Sequence, residues 1–203
     1  MQQSWICVFC YSRVSCLKII QRSLSYVHQL DARSSDQISL VVIHCTELPD
    51  LASARQWGEK VVHPETQTGN SGHYYIDRDG SIEEWVPLTR MAHHVRGFNS
   101  QSIGIELVNT GRYPDWFRSD RQQMTEEYPD EQIRVLTTLL NHLSVSLPGL
   151  KEIAGHEDLD TGLLSSVDKP GVMIRRKIDP GPCFPWPAIM DNTTLKRFKL
   201  QDL

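Results

Sequence analysis

Two stretches limit the fold more than anything else in the chain. Ile38-Ser39-Leu40-Val41-Val42-Ile43-His44-Cys45 and Ile103-Gly104-Ile105-Glu106-Leu107-Val108 are β-branched and nearly continuous in apolar character. A strand with one wet face alternates polar and apolar residues, whereas a strand covered on both faces does not. Each stretch therefore reads as a buried strand, and each carries one misfit. Glu106 is a carboxylate in an apolar run, which costs several kcal/mol unless it is paired or functional. His44 stands at the end of its strand, where a side chain is held rigidly at the rim of a sheet. Taken alone, His44 reads first as a core histidine with satisfied hydrogen bonds. Gly104 lets another chain segment approach closely.

The remaining pattern supplies helices and turns. Ile133, Leu136, Leu140, Leu143 and Leu147 share one helical face, with Asp130 expected as cap and Pro148-Gly149 as stop. Asp50 caps a second helix carrying Leu51, Ala54, Trp57 and Val61. His73 to Ile76 and Ser81 to Val86 flank Asp77-Arg78-Asp79-Gly80, a hairpin signature in which His73 reads as structural. Tyr113 to Met124 is a polar-aromatic surface loop. Glu152 to His156 is a short strand ending in a histidine, and a short helix closes the chain.

At 203 residues the chain is expected to form one domain. A net charge of -4 argues against a nucleic-acid partner. No apolar run is long enough to span a bilayer. Residues 1–30 contain no Asp or Glu and are expected to be a disordered segment or a misassigned start, with the domain at 31–203. Their apolar piece, Trp5 to Tyr11, precedes the basic residues, the reverse of a secretory signal. Cys7 and Cys10 lack the second pair that a zinc ribbon needs, and Cys16 makes a poor lipobox.

Near the C-terminus, Arg176-Lys177-Ile178-Asp179-Pro180-Gly181-Pro182 sets a cation and a carboxylate two residues apart and then stiffens the chain. In an extended segment Lys177 and Asp179 project to the same side. A solvated ion pair on a surface turn accounts for the heptamer equally well by itself. With His44 and His156, Asp179 makes two imidazoles and one carboxylate, which leaves a fourth tetrahedral position for water, as in catalytic zinc sites. Glu106 then fits a proton acceptor and Lys177 an oxyanion donor, a set suited to amide hydrolysis. There is no His-Glu-x-x-His helix.

Five segments in order carry a resemblance. Val42-Ile43-His44-Cys45-Thr46, Ser71-Gly72-His73-Tyr74-Tyr75-Ile76 with Asp79-Gly80, Ser102-Ile103-Gly104-Ile105-Glu106-Leu107, Ala154-Gly155-His156 and Lys177-Ile178-Asp179-Pro180-Gly181-Pro182 resemble the motifs of zinc-dependent N-acetylmuramoyl-L-alanine amidases of the AmpD/AmiD type. The resemblance covers about residues 38 to 187. It implies an α/β fold with a central mixed sheet flanked by helices and zinc in a surface groove. It makes His44, His156 and Asp179 the zinc ligands, Glu106 the catalytic base and Lys177 the transition-state cation. His94 matches the histidine of an Ala-Trp-His segment in which His93 here replaces the tryptophan; His94 and Arg96 are expected to contact substrate. Relatives that place a tyrosine at the position of Gly72 use it in catalysis, so the base role here falls on Glu106.

The implied reaction is hydrolysis of the amide between the lactyl group of N-acetylmuramic acid and L-alanine, in peptidoglycan or its muropeptide fragments. The rival is a non-catalytic peptidoglycan-binding module of the same fold, which would be expected to have lost ligands. The resemblance leaves open the choice between whole wall and fragment. It also leaves open the oligomeric state and the compartment, with the cytoplasm favoured over the periplasm or outer membrane.

Overall fold

The computed structural model describes residues 5–7 and 17–200. In chain order its elements are β1 (Trp5–Cys7), β2 (Lys18–Gln21), β3 (Leu40–Cys45), α1 (Leu51–Gly58), β4 (Tyr74–Ile76), β5 (Ile82–Glu84) and β6 (Ser102–Leu107). There follow α2 (Asp130–Ser146), β7 (Glu152–Gly155), α3 (His156–Leu159), β8 (Leu163–Ser165), β9 (Met173–Arg175), α4 (Trp186–Met190) and β10 (Lys196–Arg197). Eight strands form one mixed sheet in the order β1-β2-β5-β4-β6-β3-β7-β10, and β8-β9 form a separate ribbon. β4, β6, β3, β7 and β10 run parallel, while β5 turns back on β4 as the predicted hairpin. Among the described residues no helix is long and apolar enough to cross a membrane.

β3 and β6 are the central buried strands that their composition predicts. The strand period of two divides their side chains between two faces. Val41, Ile43, Ile103, Ile105 and Ile153 join the cluster that α2 covers with Leu136, Leu139, Leu140 and Leu143. Leu40, Val42 and Ala154 face the other way, against Val95 and Leu159. His44 and Glu106 continue that second row, so the strand ends aim them away from α2.

Local chemistry fixes the helix starts. Asp50 accepts from Ser53 N at 2.7 Å and caps α1 as expected. Asp130, expected as the cap of α2, is instead its first residue. Pro129 occupies the cap with an extended ψ of 144°, and no side chain bonds back. The Asp130 carboxylate still lies where the helix dipole favours negative charge.

The division at residue 30 is corrected by the packing. β2 pairs in parallel with β5, and Leu24, Tyr26 and Leu30 are buried against Trp85 and Val86. From Leu17 onward this segment is part of the domain. It escaped the reading because its apolar residues are spaced like neither a helix nor a full strand. The expectation of disorder for residues 1–4 and 8–16, and the reading of Cys10 and Cys16, lie outside the described residues; Trp5–Cys7 pair with β2 as strand β1. β10, which adds to β7 after the last helix, is too short to carry a sequence signal.

Candidate active site

Register assembles the site. His44 lies opposite Glu106, and Ile43 opposite Gly155, which directly precedes His156. Three adjacent parallel strands thus deliver Glu106, His44 and His156 side by side at their C-terminal edge. That edge is where open α/β sheets bind ligands. His156 does not end the strand, as the sequence suggested, but opens the single turn α3. Asp179 arrives from the far end of the chain. Its carbonyl accepts from Glu157 N at 2.9 Å, and Tyr128 donates to Pro180 O at 2.7 Å. Gly155 has to be glycine, because a Cβ there would stand 2.8 Å from Pro180 Cδ.

His44, His156 and Asp179 offer donor atoms that all lie within 4.8 Å of one another, and all three residues are buried. Nδ1 of each histidine is 3.2 Å from Asp179 Oδ2. Ligand atoms about 2.0–2.1 Å from a tetrahedral zinc stand roughly 3.3 Å apart, so the spacing fits.

Protonation makes the same point. Ser102 Oγ is 2.7 Å from the Phe98 carbonyl, which only accepts, so the hydroxyl donates there. His94 Nε2, 3.1 Å from Ser102 Oγ, must then be the donor to it. His94 Nδ1 is left as an acceptor, and His44 Nε2 donates to it across 2.9 Å. Burial, with a smaller opposing effect of the nearby Asp179 carboxylate, lowers the pKa of His44 to about 4, so the ring is neutral at pH 7. His44 Nδ1 therefore presents a lone pair to a carboxylate oxygen, and two acceptors face each other. Asp179 Oδ1 is also buried without a partner. Burial opposes ionisation of Asp179, but His156 and Lys177 outweigh it and hold the carboxyl well below the usual range. An anionic, lone-pair-lined pocket of this kind is suited to a divalent cation.

Glu106 stands beside this trio, Oε1 4.0 Å from His44 Nδ1, with its side chain 15% exposed. Burial first, then the charge of Asp179, push its pKa up to about 8, and Lys177 partly offsets them. A carboxylate raised in this way is suited to taking and returning a proton. Gly72 packs on it: a Cβ there would lie 2.8 Å from Glu106 Cγ, so this chain has no room for a side chain at that position. Lys177 lines the same cleft of about 860 Å³, together with Arg96, Trp116 and Arg176.

The structure thus brings all five predicted chemical residues together. Arg96 is exposed on the cleft wall. His94 also lines the cleft, but its ring nitrogens are engaged by His44 and Ser102, so it orients a ligand rather than standing free. Gly104, read as a point of close approach, makes room for that ring: a Cβ would meet His94 at 2.7 Å. His73 is structural as expected, completely buried and accepting from Gly104 N at 3.0 Å. Ser102, Glu47 and Arg112 were not foreseen. Glu47 and Arg112 are unmarked because they are 65 residues apart in the chain, and Ser102, although within eight residues of His94, stands in no pattern that marks it.

A family model described as N-acetylmuramoyl-L-alanine amidase matches residues 34–182. The chain is similar to the 1,6-anhydro-N-acetylmuramyl-L-alanine amidase AmpD of Salmonella typhimurium, 28% identical over 191 residues, covering 83% of this chain and 88% of that protein. Its fold is similar to that of a crystal structure of AmpD, with a TM-score of 0.59 at 24% identity over 86% of this chain and 93% of that one. It is also similar to the Escherichia coli amidase AmiD, solved with the substrate anhydro-N-acetylmuramic acid-L-Ala-D-γ-Glu-L-Lys. That TM-score is 0.59 at 23% identity, over 81% of this chain and 61% of that one. The matched span contains the histidine–aspartate trio, Glu106 and Lys177, and the chain belongs to the N-acetylmuramoyl-L-alanine amidase family.

Proposed function

We propose that this chain carries out its family's reaction, hydrolysis of the N-acetylmuramoyl–L-alanine amide, with one zinc ion and on 1,6-anhydro muropeptide fragments. The observation that carries the zinc is the pair of acceptors, His44 Nδ1 and Asp179 Oδ2, facing each other at 3.2 Å in a buried pocket. The fragment as substrate is supported by the named activity of AmpD and by the ligand of AmiD. His44, His156 and Asp179 would hold the metal. Bound there, zinc supplies a Lewis acid that polarises a carbonyl and makes water acidic near neutral pH.

The chain's own groups do the rest. Glu106 takes the proton of the attacking water on its carboxylate and returns it to the departing amine nitrogen of L-alanine. The Lys177 ammonium stabilises the oxyanion of the tetrahedral intermediate. Ser102 and His94 hold His44 in the tautomer that keeps Nδ1 free. A binding-only module has no use for a base and a cation beside an intact ligand trio. The test is mass analysis of products after incubation of zinc-loaded protein with anhydro muropeptides and, separately, with intact sacculi. Release of a peptide beginning with L-alanine from the fragments is expected. Release from sacculi alone would overturn the choice of substrate, and release from neither would overturn the enzyme.

A further inference from the structure

One buried ion pair ties together the three segments that carry the chemistry. Glu47 follows β3, which carries His44. Arg112 follows β6, which carries Glu106. Their side chains are 8% and 1% exposed. Arg112 Nε donates to Glu47 Oε1 at 2.6 Å and Nη2 to Oε2 at 2.9 Å, a two-pronged pair. Arg112 Nη1 donates to Gln122 Oε1 at 3.0 Å and to the Arg175 carbonyl at 3.2 Å, and Nη2 also donates to the Arg176 carbonyl at 3.3 Å. All five guanidinium protons thus have acceptors. Two of those acceptors are the carbonyls immediately before Lys177.

The surroundings are shaped to this pair. Glu47 adopts a positive φ of 49°, uncommon for a residue with a side chain. Its carbonyl accepts from Trp116 Nε1 at 3.0 Å. Gly111 packs against it, and a Cβ there would come within 2.7 Å of Glu47 Cγ. Such a pair is a poor source of stability, since desolvating both charges offsets most of their attraction, and apolar replacements often do as well. What apolar side chains cannot do is hold two carbonyls of a neighbouring loop. A lysine cannot present the planar fork either.

We propose that the Arg112–Glu47 pair is a positioning device that fixes the segment from Arg175 to Lys177 and so aims the Lys177 ammonium into the cleft. It acts through Lys177 and touches no substrate. The proposal rests on the amidase reading for its kinetics, but not for its structural arm.

The test compares wild type, Arg112→Lys, the double variant Glu47→Met/Arg112→Met, and each of these with Lys177→Ala. Melting temperature and zinc content are measured alongside kcat and KM. The double variant leaves no buried charge unpaired, so it is expected to melt close to wild type and keep its zinc, while kcat falls at least tenfold with KM changed less than about twofold. Lys177→Ala is expected to cost wild type roughly 10²–10³ in kcat, and less than tenfold in the double variant. Should the double variant fail to fold, Arg112→Lys retains the charge and is expected to show the same kcat loss. Amide hydrogen exchange over residues 173–179 reads the tether without substrate and should accelerate in either variant. Unchanged exchange, or a kcat within twofold of wild type with the full Lys177→Ala cost retained, overturns the positioning role. An inactive wild type with accelerated exchange in the variants would instead overturn the amidase reading and leave the tether standing.

Discussion

At the residue scale, the site works by what each group is prevented from doing. Ser102 can donate only to a carbonyl, and that single constraint travels through His94 to leave the Nδ1 lone pair of His44 facing Asp179. Ser102→Ala removes the anchor of that relay without touching a ligand. Loss of such an outer partner typically costs about 10–100-fold in metal affinity, and competition with a chromogenic chelator measures it. An affinity unchanged within threefold would show that His94 alone fixes the ring. Glu106 makes a second prediction. In metal-free protein it titrates near 8, because burial and then the charge of Asp179 oppose its ionisation. A bound dication favours the charged carboxylate, so the pKa must fall when zinc is added. Carboxyl carbon NMR of the two states across pH reads this directly, and a value that stays or rises would remove the metal from the trio. Glu106→Gln, which keeps the shape and loses the proton acceptor, should retain zinc while turnover drops about 10²–10⁴-fold.

At the element scale, the legible parts were those whose cause is local. β3 and β6 announced themselves because burial on both faces demands unbroken apolar runs, and the two misfits in those runs, His44 and Glu106, proved to be opposite each other. α2 was legible from its periodicity, although its start was not: Pro129 sets the entry geometry, and Asp130 was read as the cap. Glu47 and Arg112 were illegible for the opposite reason. They are 65 residues apart, and the motive for burying either charge exists only once β3 and β6 lie side by side. Glycines fall between these cases. Gly104 was read correctly as a close approach, but that the approaching group is the His94 ring follows only from the fold. The element-scale prediction is that Gly104→Ala, whose Cβ would stand 2.7 Å from that ring, displaces His94 and weakens zinc binding. A Gly104→Ala variant with native metal affinity and native turnover would show that the ring can move aside at no cost.

At the scale of the whole molecule, a parallel core concentrates the chemistry at one edge, and the rest of the sheet serves to complete the layer around it. The sharpest test of that arrangement lies far from the histidine–aspartate trio. Residues 1–30 were expected to be a disordered segment or a misassigned start, yet Leu24, Tyr26 and Leu30 are each 3% exposed or less, and Tyr26 donates to the Gly58 carbonyl at 2.7 Å. Arg55 reaches back to the carbonyls of Arg22 and Ser23, and β2 extends the sheet beyond β5. Burying the two leucines alone is worth about 3–6 kcal/mol. Domains of this kind are stable by only about 5–15 kcal/mol in total. A chain cut to begin at Asp31 should therefore lose much of its stability, and exposing Trp85 and Val86 should make it prone to aggregate. A chain beginning at Leu17 keeps all of these contacts and serves as the control. Thermal unfolding of the two measures the difference: a melting temperature for the shorter chain within about 3 °C of the longer one would mean that this segment lies on the domain without holding it together.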